Sequence, residues 1–113
     1  MFKRLSLVGI WAILSIRIVA AGQWAYDSAG GLLTHDTSGW ILTAAQDGTN
    51  LTVTGVDTAP DSPGALPLAD PAPGYVITGI GEGAFSNQEL SHVLFPPGIT
   101  RIGNYAFLSC FHL

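Results

Sequence analysis

A chain of 113 residues has room for one small domain at most. Its single cysteine excludes an internal disulfide framework. With four Lys or Arg against eight Asp or Glu, it has too few cations to neutralise a run of phosphates, so nucleic acid and anionic lipid are poor partners.

The first fifth of the chain stands apart from the rest. Met1 to Arg4 is short and basic, Leu5 to Ile16 is almost wholly apolar, and Val19-Ala20-Ala21-Gly22 offers the small residues beside which a leader peptidase cuts. Residues 1–22 therefore read as a signal peptide. Cleavage after Ala21, with Val19 three places back, and cleavage after Gly22, with Ala20 three places back, both meet the small-residue requirement, and the sequence leaves both open. A retained anchor is disfavoured by length: Leu5 to Ala21 is 17 residues with Arg17 inside, whereas a spanning helix needs roughly 20 mostly apolar residues. The expectation is a secreted or cell-surface protein with no stable membrane span after the leader is cut. Lys3, Arg4 and Arg17 would leave with it, so Arg101 remains against Asp27, Asp36, Asp47, Asp57, Asp61, Asp70, Glu82 and Glu89, a net charge near −7. These acids are scattered singly, the pattern of a solvated face and not of a metal cage.

Residues 23–57 read as a small β unit. Trp24-Ala25-Tyr26, Trp40-Ile41-Leu42-Thr43 and Leu51-Thr52-Val53-Thr54 are rich in aromatic, β-branched and aliphatic residues, and Gly30-Gly31, Ser38-Gly39 and Asp47-Gly48-Thr49-Asn50 punctuate them. Asp47-Gly48 suits a tight hairpin turn because glycine tolerates positive φ. Alternation places Leu51, Val53 and Ile41 on one face and Thr52 and Thr54 on the other. Residues 58–74 contain Pro60, Pro63, Pro67, Pro71 and Pro73 with only Leu66 and Leu68 as sizeable apolar groups. Proline removes backbone donors and fixes φ, so this stretch is expected to be an extended connector that divides the chain in two.

Residues 75–113 carry an internal repeat. Ile77-Thr78-Gly79-Ile80-Gly81-Glu82-Gly83-Ala84-Phe85 returns 22 residues later as Ile99-Thr100-Arg101-Ile102-Gly103-Asn104-Tyr105-Ala106-Phe107, with six of nine positions identical. The isoleucine pairs Ile77/Ile80 and Ile99/Ile102 are expected to turn inward from extended segments. Gly81 and Gly103 would permit a corner, and Ala84-Phe85 and Ala106-Phe107 would begin a short helical turn whose ring fills the interior. Leu90 to Phe95 gives a second extended run, which Pro96-Pro97-Gly98 ends. A period of this length falls in the range of repeats that stack into a solenoid.

At these residues the chain resembles the BspA-type leucine-rich repeats of bacterial and protist surface proteins. The family pattern is Ile-Gly, two variable residues, Ala-Phe, two more, Cys, two more and Leu, and Ile102, Gly103, Ala106, Phe107, Cys110 and Leu113 match it in place. The first copy departs from it: Gln88 stands where cysteine is usual and Leu90 arrives one residue early. The likeness covers about a third of the chain. It implies a mainly β fold, a small N-terminal β unit followed by the start of a leucine-rich-repeat solenoid with short helical corners, one repeat full and one partial. The expected interior comprises Ile77, Ile80, Gly81, Ala84, Phe85, Leu90, Ile99, Ile102, Gly103, Ala106, Phe107, Cys110 and Leu113. For Cys110, as for most lone cysteines, burial in apolar surroundings is the expected fate.

Chemistry-bearing motifs are few. Gly79-Ile80-Gly81-Glu82-Gly83-Ala84 fits a loose dinucleotide pattern, but no complete βαβ unit fits, no acid after Glu89 can hold a ribose, and the second copy replaces Gly79 with Arg101 and Gly83 with Tyr105. His35-Asp36 beside Ser38 invites a nucleophilic reading, yet groups this close in sequence rarely adopt triad geometry, so a polar turn is expected. His92 and His112 lack a partner at metal-ligand spacing and are expected at the surface. Asn50-Leu51-Thr52 is a glycosylation sequon, and Trp24 and Trp40 are expected in the core, with sugar stacking a minor variant.

No catalytic residue, cofactor or metal is therefore expected. The leading expectation is a non-catalytic exported leucine-rich-repeat protein that binds protein or a cell-surface ligand, as part of a longer array, since at least three repeats are normally needed for a stable stack. The alternatives are an accessory binding region of a larger secreted enzyme and a degraded reading frame.

Overall fold

The computed structural model describes residues 22–61 and 64–113, so the expected leader, Gly22 excepted, lies outside the described residues. Among the latter there are eight strands and no helix: β1 (Trp24–Asp27), β2 (Leu32–His35), β3 (Ile41–Asp47), β4 (Asn50–Thr58), β5 (Gly64–Leu66), β6 (Val76–Ile80), β7 (Leu90–Val93) and β8 (Arg101–Ile102). The protein is mainly β. Six strands form one mixed sheet in the order β1-β2-β3-β4-β6-β8, and β5 pairs with β7.

Strands β1 to β4 form an antiparallel meander. Asp47 pairs with Asn50 across a two-residue turn in which Gly48 has φ +64°, the left-handed conformation that an L side chain resists. One face of the meander is apolar by strict alternation: Trp40, Leu42 and Ala44 on β3 and its approach, Leu51 and Val53 on β4, and Trp24 and Leu33 on the outer strands are all buried. Ile41 is only half-buried, against expectation, because the Trp40-Leu42-Ala44 phase puts it on the opposite face. Strand β2 was not among the expected elements. Its alternation buries His35 beside Leu33, a polar residue on the core face.

β4 then changes partner type, antiparallel to β3 on one side and parallel to β6 on the other. The sheet consequently crosses the proline-rich stretch, which does not act as a separator. Leu66, Leu68 and Ala72 are buried, and β5 pairs in parallel with β7, where Leu66 lies opposite Val93. The Trp24 indole donates to the Pro67 carbonyl at 2.9 Å and the Trp40 indole to the Ala65 carbonyl at 3.1 Å. Proline lacks a donor but keeps its acceptor, so a proline-rich segment can be tied down by its carbonyls and buried through the leucines between prolines. Both tryptophans are used in this way, in the core, which removes the surface pair that sugar stacking would need.

The two copies of the repeat lie against each other at a constant offset of 22 residues. Gly79 pairs with Arg101 and Ile80 with Ile102 in parallel register. The Thr100 amide donates to Thr78, Gly103 to Ile80, Gly83 to Asn104, Phe85 to Ala106 and Asn87 to Leu108. Within each copy the corner is the same chain of tight turns. Amides of Ala84, Ser86 and Gln88 donate to carbonyls three residues back, as do those of Ala106, Leu108 and Cys110. Positive φ falls at Gly83 and Asn87 and again at Tyr105 and Ser109. The corners are thus successive turns and not the expected helical ones: a left-handed residue every fourth position prevents the continuous right-handed φ that a helix requires.

Gly81 and Gly103 were expected to supply backbone freedom at the corner, but neither has positive φ. They supply clearance. A Cβ at Gly103 would lie 2.6 Å from the Glu82 amide nitrogen and 2.7 Å from the Gly81 carbonyl carbon. The Arg101 guanidinium crosses over Gly79, where a Cβ would meet Nη2 at 2.7 Å, and donates to Thr52 Oγ1 at 2.9 Å, linking the second copy to β4 across the first.

Candidate functional site

The expected interior separates into two groups. Ile77, Ile80, Ala84, Phe85, Leu90 and Ala106 are buried, and Gly81, Ile99, Gly103, Phe107 and Cys110 are half-buried. Ile102 and Leu113 are 51% and 55% exposed, so neither lies in the interior as expected. The cause is position: β8 is an edge of the sheet among the described residues, whereas β6 is covered on one side by β4 and on the other by β8. Phe85 is enclosed, with the Phe107 ring stacked on it at 5.5 Å and 6° between planes and Trp40 edge-on at 6.5 Å. Phe107 has Phe85 on one side and Phe95 edge-on at 6.1 Å. Cys110, expected in an apolar site, is instead half-buried with its thiol donating to the Phe85 carbonyl at 3.1 Å.

The outer edge of the second copy, as it stands among the described residues, is the first candidate site. Of the eight large hydrophobic residues exposed among those described, all but Val76 fall between Leu94 and Leu113. Leu90 to Leu113 contains no acid and one cation, Arg101, in a chain that is otherwise acidic. An apolar and almost uncharged surface on an acidic protein is the composition of a contact surface. The backbone is presented there too. By the 22-residue offset, the groups corresponding to those that join the copies are the carbonyls of Thr100 and Ile102 and the amides of Tyr105, Phe107 and Ser109. None of these three amides has a backbone acceptor among the described residues.

The second candidate is a polar pair, its imidazole buried and its carboxylate partly exposed. His35, beneath Trp24 at 4.8 Å, places Nε2 2.8 Å from Asp70 Oδ2. Its Nδ1 accepts the Ser38 amide at 3.0 Å, so Nε2 carries the proton and donates to the carboxylate, leaving the imidazole neutral. The local reading of His35, Asp36 and Ser38 as a polar turn therefore captured the Ser38 contact and missed the main partner, 35 residues away. Ser38 offers His35 its backbone amide, and its hydroxyl oxygen accepts the Trp40 amide at 3.3 Å, so the three residues do not form a nucleophile and base. Asp36 instead accepts the Gln23 amide at 3.0 Å. Asp70 also borders a cleft of about 180 Å³ between Leu68–Ala72, Tyr75–Ile77 and Pro96–Gly98.

The remaining singled-out residues are dispersed. His92 is exposed with Nδ1 3.0 Å from Ser91 Oγ, and His112 is exposed near Phe111. Among the described residues no three of His, Cys, Asp and Glu converge as metal ligands would. Asn50 is exposed where β4 begins. Gly79 to Ala84 forms the end of β6 and the first corner, with the Gly81 amide donating to Val53. Comparisons with family models, with curated proteins and with solved structures found no match.

Proposed function

We propose that this is a non-catalytic, exported leucine-rich-repeat protein of the BspA type that binds protein or cell-surface ligands, its two copies being successive coils of a solenoid. What supports the reading is the outer edge of the second copy among the described residues, where an apolar, nearly uncharged surface coincides with a row of backbone donors and acceptors in the same spacing that already joins one copy to the next, as the surface for a further coil of a longer array or for a ligand segment would. Such an edge is suited to take up a further polypeptide segment in parallel register. Main-chain hydrogen bonds would supply affinity and the small and aromatic positions of the coil would supply selection. The basic start, apolar run and small residues of positions 1–22 support a location outside the cell.

The test uses a fluorescein-labelled peptide with the sequence of Ile99 to Leu113, which carries the repeat pattern, titrated with the mature protein and followed by fluorescence anisotropy. A saturable rise that a scrambled peptide does not give, and that Ile102→Asp abolishes, is the expected result. Ile102 is exposed on an edge strand, so that substitution spares the core. Equal responses to the native and scrambled peptides would remove the basis for a binding edge.

A further inference from the structure

Gly22, the first described residue, is buried, although it lies at the junction of the leader and the β unit. It has φ +96°, and a Cβ placed on it would fall 2.6 Å from Asp70 Oδ2 and 3.1 Å from His35 Nε2. Only glycine fits there. Two residues on, the Trp24 amide donates to the Pro71 carbonyl at 2.8 Å, which holds this entering segment alongside Asp70. A backbone nitrogen and a Cβ on the same Cα are about 2.5 Å apart, so the Gly22 nitrogen lies within about 5 Å of the Asp70 carboxylate.

Among the described residues that carboxylate has no Lys or Arg beside it. His35 is 3% exposed and Asp70 32% by side chain, and the imidazole donates to the carboxylate as a neutral group. Among the described residues Arg101 is the only Lys or Arg, and its guanidinium is engaged by Thr52 on another part of the sheet. A partly buried anion with a neutral donor on one side is stabilised by a cation on the other.

We propose that the leader is removed between Ala21 and Gly22, and that the α-ammonium created on Gly22 is held by Asp70 in the site that His35 and Gly22 enclose. The step is hydrolysis of one amide bond by a leader peptidase and water: the leader keeps the new carboxylate on Ala21, and Gly22 keeps the amine, which takes up a proton. Of the two cuts compatible with the small-residue rule, this one keeps in the product the residue around which the site is built. A cut after Gly22 would discard a residue that the core has shaped itself around, and would put the new ammonium on Gln23, whose nitrogen faces Asp36 Oδ1 at 3.0 Å and not Asp70. The proposal rests on the leader reading of the first residues and is independent of the repeat assignment.

Expression of the full precursor in a secretory host, followed by intact-mass measurement and N-terminal sequencing, separates the possibilities. A chain beginning at Gly22 is the expected product. A chain beginning at Gln23, with or without cyclisation to pyroglutamate, overturns the proposal alone, and an uncut precursor overturns it together with the leader reading. The role of the ammonium is read separately. Lys3, the only lysine, leaves with the leader, so the secreted chain has one amine, the one group that stays acetylated after acetic anhydride and then hydroxylamine, which clears histidine, tyrosine and cysteine adducts. Acetylation is expected to lower the melting temperature of the wild type and to leave that of Asp70→Asn unchanged. An equal effect of acetylation on both proteins, or on neither, would overturn the ion pair.

Discussion

The first and second copies of the repeat have nearly the same sequence, the same turns and the same left-handed positions, yet they differ in how they are surrounded. Ile80 is 2% exposed and its counterpart Ile102 is 51% exposed; Phe85 is fully enclosed and Phe107 only partly. Backbone shape therefore follows from the repeat itself, and burial follows from the neighbours. Among the described residues the first copy has β4 on one side and the second copy on the other, while the second is paired with the first alone. Such dependence on neighbours is what the proposed stacking of repeats would produce, with interfaces supplying much of the stability.

The comparison is broken most sharply by truncating each ring in turn. Phe85→Ala removes a ring packed between Trp40 and Phe107 and should cost about 3–5 kcal/mol, the range for a large aromatic lost from a core. Phe107→Ala loses the same atoms from a half-buried place and should cost about 1–2 kcal/mol, because less surface is returned to water. Urea denaturation of both variants measures the difference. Equal costs would mean that the outer edge of the second copy is covered in solution.

Clearance between copies gives the next largest effect. Gly103→Ala drives a methyl group into the backbone at Gly81 and Glu82, which cannot move as a flexible side chain can, and should cost about 2–3 kcal/mol. Gly48→Ala is the control: it meets nothing within 4 Å and carries only the strain of φ +64°, about 1 kcal/mol. Thermal melts of the two variants rank close approach against conformational strain. A Gly103→Ala protein as stable as Gly48→Ala would show that the copies can separate at little cost.

The features legible in the sequence are those with a local or periodic signature. The 22-residue recurrence located the paired copies, and Asp47-Gly48 located the hairpin. The Trp40-Leu42-Ala44 alternation was present in the sequence too, but the neighbouring Ile41 concealed its phase. The helical corners were misjudged because Ala-Phe suggests a helix, while the left-handed conformations at Asn87, Tyr105 and Ser109 have no strong residue signal. The proline-rich stretch was misjudged for a different reason: composition reports the donors that prolines lack and not the carbonyls they retain, which Trp24 finds at Pro67. The His35–Asp70 pair spans 35 residues with no periodicity to connect them, so only the folded sheet brings them together.

The smallest expected effect tests whether backbone shape is carried equally by both copies. Gly83 and Tyr105 occupy the same corner position, at φ +66° and +59°, but only the first is a glycine. A bulky residue held in this region costs roughly 1–2 kcal/mol. Tyr105 is 66% exposed, so its ring recovers little of that by packing. Tyr105→Gly should relieve the strain and lose roughly 0.5–1 kcal/mol to the greater freedom of glycine in the unfolded chain, leaving a net gain of at most about 1.5 kcal/mol. A stabilised variant in urea denaturation would show that the second copy keeps its tyrosine at a cost to folding, and the exposed ring at the outer edge would then have its value in contact with another molecule. A destabilised variant would mean that the ring already contributes packing within the chain.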